Sequence, residues 1–197
     1  MKSVPLALPV QSAMAYLWNL ALAEPVAHGV LKKKLKRAQE ELMQPWQEQN
    51  WIEQTQILLN SFHRFLGEEL IARNGSDEDQ SRALFEASFV VVSHGTQADP
   101  ILNYGNQAAL DLWEMDLKTL LQTPSRMTAE PVHRDERAQL LERTSRDGFV
   151  DDYRGIRIAS SGRRFLIEKA IVWNLVNDDG DRVGQAATFS DWVFLNE

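Results

Sequence analysis

The chain contains no cysteine. That removes disulfide staples, thiolate metal sites, cysteine nucleophiles and any flavin photochemistry that proceeds through a cysteinyl adduct. It agrees with a reducing compartment, and the expected location is cytoplasmic, with peripheral contact at a membrane complex as the variant. Positive charge is also scarce. The 21 Lys and Arg residues stand against 28 Asp and Glu, a formal net charge of -7, whereas nucleic-acid-binding domains concentrate basic residues. No nucleic-acid partner is expected. Long apolar runs are missing too: the longest, Ala13 to Ala23, is broken by Asn19 and falls well short of the ~20 residues of a membrane-spanning helix. A signal peptide is not expected, because Lys2 is the single early cation and Pro5, Pro9, Gln11 and Ser12 interrupt the segment that should be apolar.

What is present is an average globular composition, 44% hydrophobic and 25% charged in 197 residues, enough for one domain and an appendage. Residues 1–44 read as an N-terminal helical arm. Ser12 is placed to cap a helix that is apolar almost all round through Tyr16, Trp18 and Leu20 and that Pro25 ends. After Gly29, Leu31, Leu35, Ala38 and Leu42 share one helical face, and Lys32, Lys33, Lys34, Lys36 and Arg37 occupy the other. The plain reading of those cations is a solvated face. The sharper one is a basic amphipathic helix that, with Tyr16, Trp18 and Leu20, docks on an acidic protein partner or an anionic membrane surface.

Pro45 marks the boundary to a domain over 45–194 that includes a flanking helix over 46–72. In that helix Trp51, Thr55, Leu58, Phe62 and Phe65 follow a four-three alternation, a stripe wide enough to cover a sheet or to pair with a second copy. Leu58, Phe62 and Phe65 are therefore the expected dimer contacts. One helical turn over 81–86 leads into a strand over 89–93, whose run of valines suits burial on both faces. A short strand at Ile101-Leu102 follows, then helices capped by Asn106 and Asp116, and a helix over 134–146 that Gly148 stops. Three strands, 150–159, 164–176 and 182–193, close the chain, joined by turns at Ser160-Ser161-Gly162 and Asn177-Asp178-Asp179-Gly180.

Two strands, several short helices and three long antiparallel strands is the layout of a PAS domain. The segment from Ile101 to Trp113 resembles the PAS signature at its second strand and following helix. More closely, the chain resembles the MEKHLA family, a PAS-like group found at the C-terminus of plant class III homeodomain-leucine-zipper regulators and as small free-standing proteins. The matching blocks are DPILNYGNQAALDLWEM, PSRMTAEP, ERAQLLER and DDYRGIRIASSGRRFLIEKAIVWNLVNDDGDRVGQAATFSDW, within Pro45 to Trp192. The resemblance implies an α+β fold, a five-stranded antiparallel sheet with short helices on one face after an N-terminal helical extension. It also implies a sensory or interaction role with no reaction attached. The string that names the family is absent, and no homeodomain or zipper precedes the domain, so DNA binding does not carry over.

For a ligand the residues themselves offer one pattern. In the strand 164–176 the odd positions are Phe165, Ile167, Lys169, Ile171, Trp173 and Leu175, so strict alternation sets a lysine in an apolar face. The returning strand places Gln185 among Val183, Ala187 and Phe189 in the same way. Lys169 and Gln185, with Asn103 or Tyr104, are the expected polar contacts to a small ligand between sheet and helices. In the alternative, Lys169 pairs with Asp99 or Glu130, or its stem snorkels out. His94 and His133 have no ligand spacing, and nothing carries a haem, flavin-adduct or metal signature, so the cofactor stays unassigned. No nucleophilic triad is legible and no catalytic residue is expected. A non-enzymatic sensory or protein-interaction module is the first expectation, acting as a homodimer or in a larger complex. An accessory subunit docking through its arm is the second. The third is a cone-shaped α+β enzyme using Glu130, Asp99 or Glu168 as base, which the early position of two strands disfavours.

Overall fold

A computed structural model describes residues 43–129, 143–144 and 146–195. The chain divides into Met1–Gln44 and Pro45–Glu197. The expected arm contacts from Tyr16 to Arg37, with Glu130, His133 and most of the helix expected over 134–146, lie outside the described residues.

A single 3-10 turn, Pro45–Gln47, leads into helix α1, Gln49–Leu66. This helix stops six residues before the expected end at Ala72, because Gly67 adopts φ 77° and its N–H returns to the carbonyl of His63 at 2.8 Å. A glycine takes that left-handed conformation without the steric cost of a Cβ, which makes it a stop signal. Helix α2, Asp77–Phe85, starts earlier than the single turn expected from Ser81. The Ser76 side chain accepts from the Asp79 N–H, and the Asp79 carboxylate accepts from the Ser76 N–H and hydroxyl at 2.8 and 2.7 Å. These bonds close a reciprocal cap and hold the Asp79 carboxyl below the usual range.

Strands β1 (Val90–His94) and β2 (Leu102–Gly105) come next, followed by helices α3 (Gln107–Trp113) and α4 (Leu117–Leu120). As the residue types predict, Asn106 caps α3 and Asp116 caps α4. The long strands are β3 (Phe149–Ile158), β4 (Arg164–Val176) and β5 (Arg182–Phe189). A short β6 (Trp192–Phe194) keeps the pairing of β5 against β4, so the strand expected over 182–193 is one ladder interrupted at Ser190-Asp191. All pairings are antiparallel, and the order is β2-β1-β5-β4-β3. This is the expected α+β, PAS-like sheet with helices.

The sheet is covered on both faces. On one, α1 and α2 bring Trp51, Leu58, Leu59, Phe62, Leu84 and Phe85 against Val91, Tyr104, Trp173, Leu175 and Ala186. Ser61 tethers α1 to the end of β4, accepting from the Val176 N–H at 3.0 Å and donating to its carbonyl at 3.3 Å. On the other face, α3 brings Ala109, Leu112 and Trp113 against Val90, Phe165, Ile167, Ala170 and Phe189. Adjacent Val90 and Val91 are thus buried on opposite faces, which is what an unbroken valine run in a central strand requires.

Between Gly155↔Ile167 and Tyr153↔Ala170, β4 uses one more residue than β3, and between Tyr153↔Ala170 and Val150↔Val172 the excess passes to β3. Glu168-Lys169 and Asp151-Asp152 are the resulting bulges, and all four side chains are exposed. Ser190-Asp191 interrupts the neighbouring ladder opposite Glu168-Lys169. Each strand therefore changes phase on the same line. Beyond it, the even positions of β4 lie on the α3 face, while Ile171, Trp173 and Leu175 join the α1 face.

Candidate functional site

The α3 face grades from aromatic to polar along the strands. At one end Trp113 meets Phe165 edge-on at 5.5 Å and Phe189 at 6.1 Å between ring centroids. In the middle Val92, Ala187 and Val172 are register partners across β1, β5 and β4. Val92 and Ala187 stay only half-buried although both belong to strands flanked on each side, so this part of the face is not sealed by the described helices. At the far end the next partners in register are His94, Gln185 and Asn174. Residues directly opposite on antiparallel strands share a face, so three polar side chains form a row across the centre of the sheet.

Asn174 and Gln185 are 8% and 5% exposed. Asn174 is fixed by its surroundings: its amide Nδ2 donates to the Thr144 carbonyl at 2.8 Å and its backbone N–H to the Gly148 carbonyl at 2.9 Å. That leaves Oδ1 directed elsewhere, and neither Asn174 Oδ1 nor Gln185 Nε2 has a hydrogen-bond partner among the described residues. Two such atoms side by side are unusual, since a buried polar group without a partner is destabilising by about 1–3 kcal/mol. The His94 imidazole Nδ1 lies 2.8 Å from the Gly95 carbonyl.

Of the expected ligand contacts, the structure keeps only Gln185 on this face. Lys169 is exposed, because the Glu168-Lys169 bulge shifts the alternation that was extrapolated from Phe165 and Ile167. The alternative pairing with Asp99 does not form, since that carboxylate accepts from Arg126 Nε at 3.0 Å. Lys169→Met is accordingly expected to change the unfolding free energy by no more than about 0.5 kcal/mol. A loss of several kcal/mol in thermal or urea denaturation would place the ammonium inside. Glu168 is exposed beside it, which removes it from any enclosed catalytic position.

Tyr104 and Asn103 fall on the α1 side. Tyr104 pairs with Ser93 in register and stacks on Trp51 at 4.7 Å. Burial pushes its hydroxyl well above the usual phenol range, against the opposing effect of the Thr55 and Trp51 side chains, so it stays neutral. Asn103 sits at a register shift between β1 and β2, where its Oδ1 accepts from the Ser93 hydroxyl at 2.7 Å. The expected dimer stripe is likewise used internally. Leu58 and Phe62 are buried in the domain's own core, and the half-buried Phe65 lies against Gly148. Asn174, which completes the row, is missed by the odd-position reading of β4. Its signal in the sequence is a single amide inside the apolar run AIVWNLV.

Among the described residues no group of three or more His, Cys, Asp or Glu could hold a metal ion, and no helix is long and apolar enough to cross a membrane. The sequence model of the MEKHLA domain matches residues 52–194. Similar curated proteins include the homeobox-leucine zipper protein HOX29 of Oryza sativa, 29% identical over 146 residues. Another is ATHB-15 of Arabidopsis thaliana, 24% identical over 140 residues. Each alignment covers 70% of this chain but only 16% and 17% of the relative, so the chain spans about a sixth of their length. Among solved structures, a PAS domain of a Colwellia psychrerythraea protein superposes with a TM-score of 0.50 at 12% identity, covering 56% of this chain and 92% of that one. An RNA-binding light-oxygen-voltage receptor gives 0.51 at 17% identity, covering 61% and 34%.

Proposed function

The chain belongs to the MEKHLA domain family, and from that premise we propose that residues 45–194 act as a non-enzymatic PAS-like sensory module. In this reading a small molecule sits on the α3 face, and its presence alters how the domain meets a protein partner. The observation that carries it is the pair of nine-tenths buried amides, Asn174 and Gln185, whose free acceptor and free donor sit beside the half-buried Val92 and Ala187. Small ligand sites are mostly apolar concavities with a few placed polar groups, and this face has that composition. The whole-chain activity of the homeobox-leucine zipper relatives is not carried over, because the shared part is a sixth of their length. The net charge of -7 also offers no general attraction to nucleic acid. The cytoplasm is the proposed location, and residues 1–44 are the proposed site of contact with a protein or an anionic surface.

Native mass spectrometry of the full chain purified from its own source, with an absorbance spectrum of the same sample, tests this reading. An extra mass per chain that leaves on denaturation, and that is reduced in Gln185→Met, is the expected result. A bare chain carrying only a stoichiometric protein partner would replace the sensory reading with a docking role for the arm.

A further inference from the structure

We propose that Met127 is a reversible oxidation site for small hydroperoxides, and that the neighbouring Arg126 makes the product predominantly one sulfoxide epimer. The proposal concerns the outer surface and stands apart from any molecule on the α3 face. With no cysteine in the chain, methionine is the only sulfur it presents to an oxidant. Three methionines lie among the described residues, Met43, Met115 and Met127. Met115 is packed against both cores, whereas Met127 is 58% exposed, more than any other large apolar side chain described.

The Met127 sulfur is also held in place. Residues Ser125–Thr128 form a 3-10 turn, fixed by the Ser125 N–H donating to the Pro100 carbonyl at 2.7 Å and the Thr128 hydroxyl to the Ser125 carbonyl at 2.8 Å. On that turn Arg126 Nε donates to both Asp99 carboxylate oxygens, at 3.0 and 3.1 Å, and Arg126 Nη1 donates to Met127 Sδ at 3.3 Å. A thioether sulfur carries two lone pairs, and oxidation at one or the other gives sulfoxides of opposite hand. The guanidinium N–H occupies one of them. Attack on a peroxide therefore falls to the other.

In that step the open lone pair of Sδ attacks one oxygen of hydrogen peroxide, and the S–O bond forms as the O–O bond breaks. The second oxygen leaves as hydroxide and takes the proton of the transferred O–H to become water. Sulfur loses two electrons and the peroxide gains them. An apolar, flexible side chain becomes a polar one of fixed hand, and methionine sulfoxide reductases restore it.

The test treats the folded full chain with hydrogen peroxide to partial conversion, digests it, and exposes the peptides separately to the two epimer-specific methionine sulfoxide reductases. Mass spectrometry reads how much of the Met127 sulfoxide each one reverses. The expected result is an excess of one epimer of at least about threefold, within the range that an exposed charge contact supplies, with Met115 still reduced. Arg126→Gln, and the parent chain oxidised while unfolded in urea, should both give near-equal epimers. A smaller excess in the folded parent, an excess that survives in Arg126→Gln or in urea, or Met115 oxidised ahead of Met127 overturns the proposal.

Discussion

Replacing Asn106 with alanine is expected to lower the unfolding free energy by about 4 kcal/mol, measured as the shift in urea midpoint at constant m-value. Asn106 is fully buried and serves three segments at once. Its Oδ1 accepts from the Val91 N–H at 2.9 Å and from the Ala109 N–H at 3.2 Å, while its Nδ2 donates to the Phe89 carbonyl at 2.7 Å. Loss of the Ala109 bond removes the cap of α3, worth about 1 kcal/mol. Loss of the other two leaves the buried Val91 N–H and the part-buried Phe89 carbonyl without the partners they have in the parent, which adds about 1–3 kcal/mol for each, with the N–H toward the upper end. Asn106→Ser should fall between the parent and the alanine variant, because a hydroxyl can still cap the helix but cannot reach β1 as well. An alanine variant within 1 kcal/mol of the parent, a bound set by the cap alone, would mean that the other bonds are replaced by water.

Phe62→Ala should cost about 3–5 kcal/mol, the range for emptying a buried phenylalanine site. The ring is 3% exposed and meets Trp173 edge-on at 5.1 Å, in the middle of the contact between α1 and β4. Half or more of that loss is lost burial, and about 1 kcal/mol should appear as coupling to Trp173 in a double-mutant cycle. The expected signature is a destabilised protein whose oligomeric state, by sedimentation of the full chain, is unchanged. A variant that separates into monomers with its stability intact would put the stripe at an interface between copies instead.

That second prediction also shows where the sequence could be followed and where it could not. The four-three spacing of Leu58, Phe62 and Phe65 locates a covered helical face, but spacing is blind to whether the cover is the chain's own sheet or another molecule. Caps were legible because they are local: Asn106 and Asp116 act on N–H groups three residues away. Strands β3, β4 and β5 were legible through their turns, of which Asn177 to Gly180 is the clearest. Helix α1 was over-extended because Gly67 lies in a run that continues with Glu68, Glu69 and Leu70, residues a helix would accept. The candidate site suffered most from alternation. Side-chain direction was extrapolated from Phe165 and Ile167 across Glu168-Lys169, and a bulge carries no residue signature of its own when both of its residues are charged and exposed. One extra residue exchanged Lys169 for Asn174 as the polar group on the covered face.

The line on which β3, β4 and β5/β6 change phase has a consequence for how this chain can vary in length. At Phe149↔Trp173 and again at Ile158↔Arg164 the two partner numbers add to the same total, so the bulges at Glu168-Lys169 and Asp151-Asp152 cancel between those ends. Removing one residue from either bulge alone would leave the rest of that hairpin displaced by one position, turning its apolar side chains to the wrong face. Removing one from each would restore β3 against β4, yet β4 would then be short against Ser190-Asp191, where the spacing to β5 and β6 is also fixed. Deletions here are compatible with the sheet only as a coordinated set of three, one per strand. Relatives of this domain should therefore keep all three extra residues or lose them together.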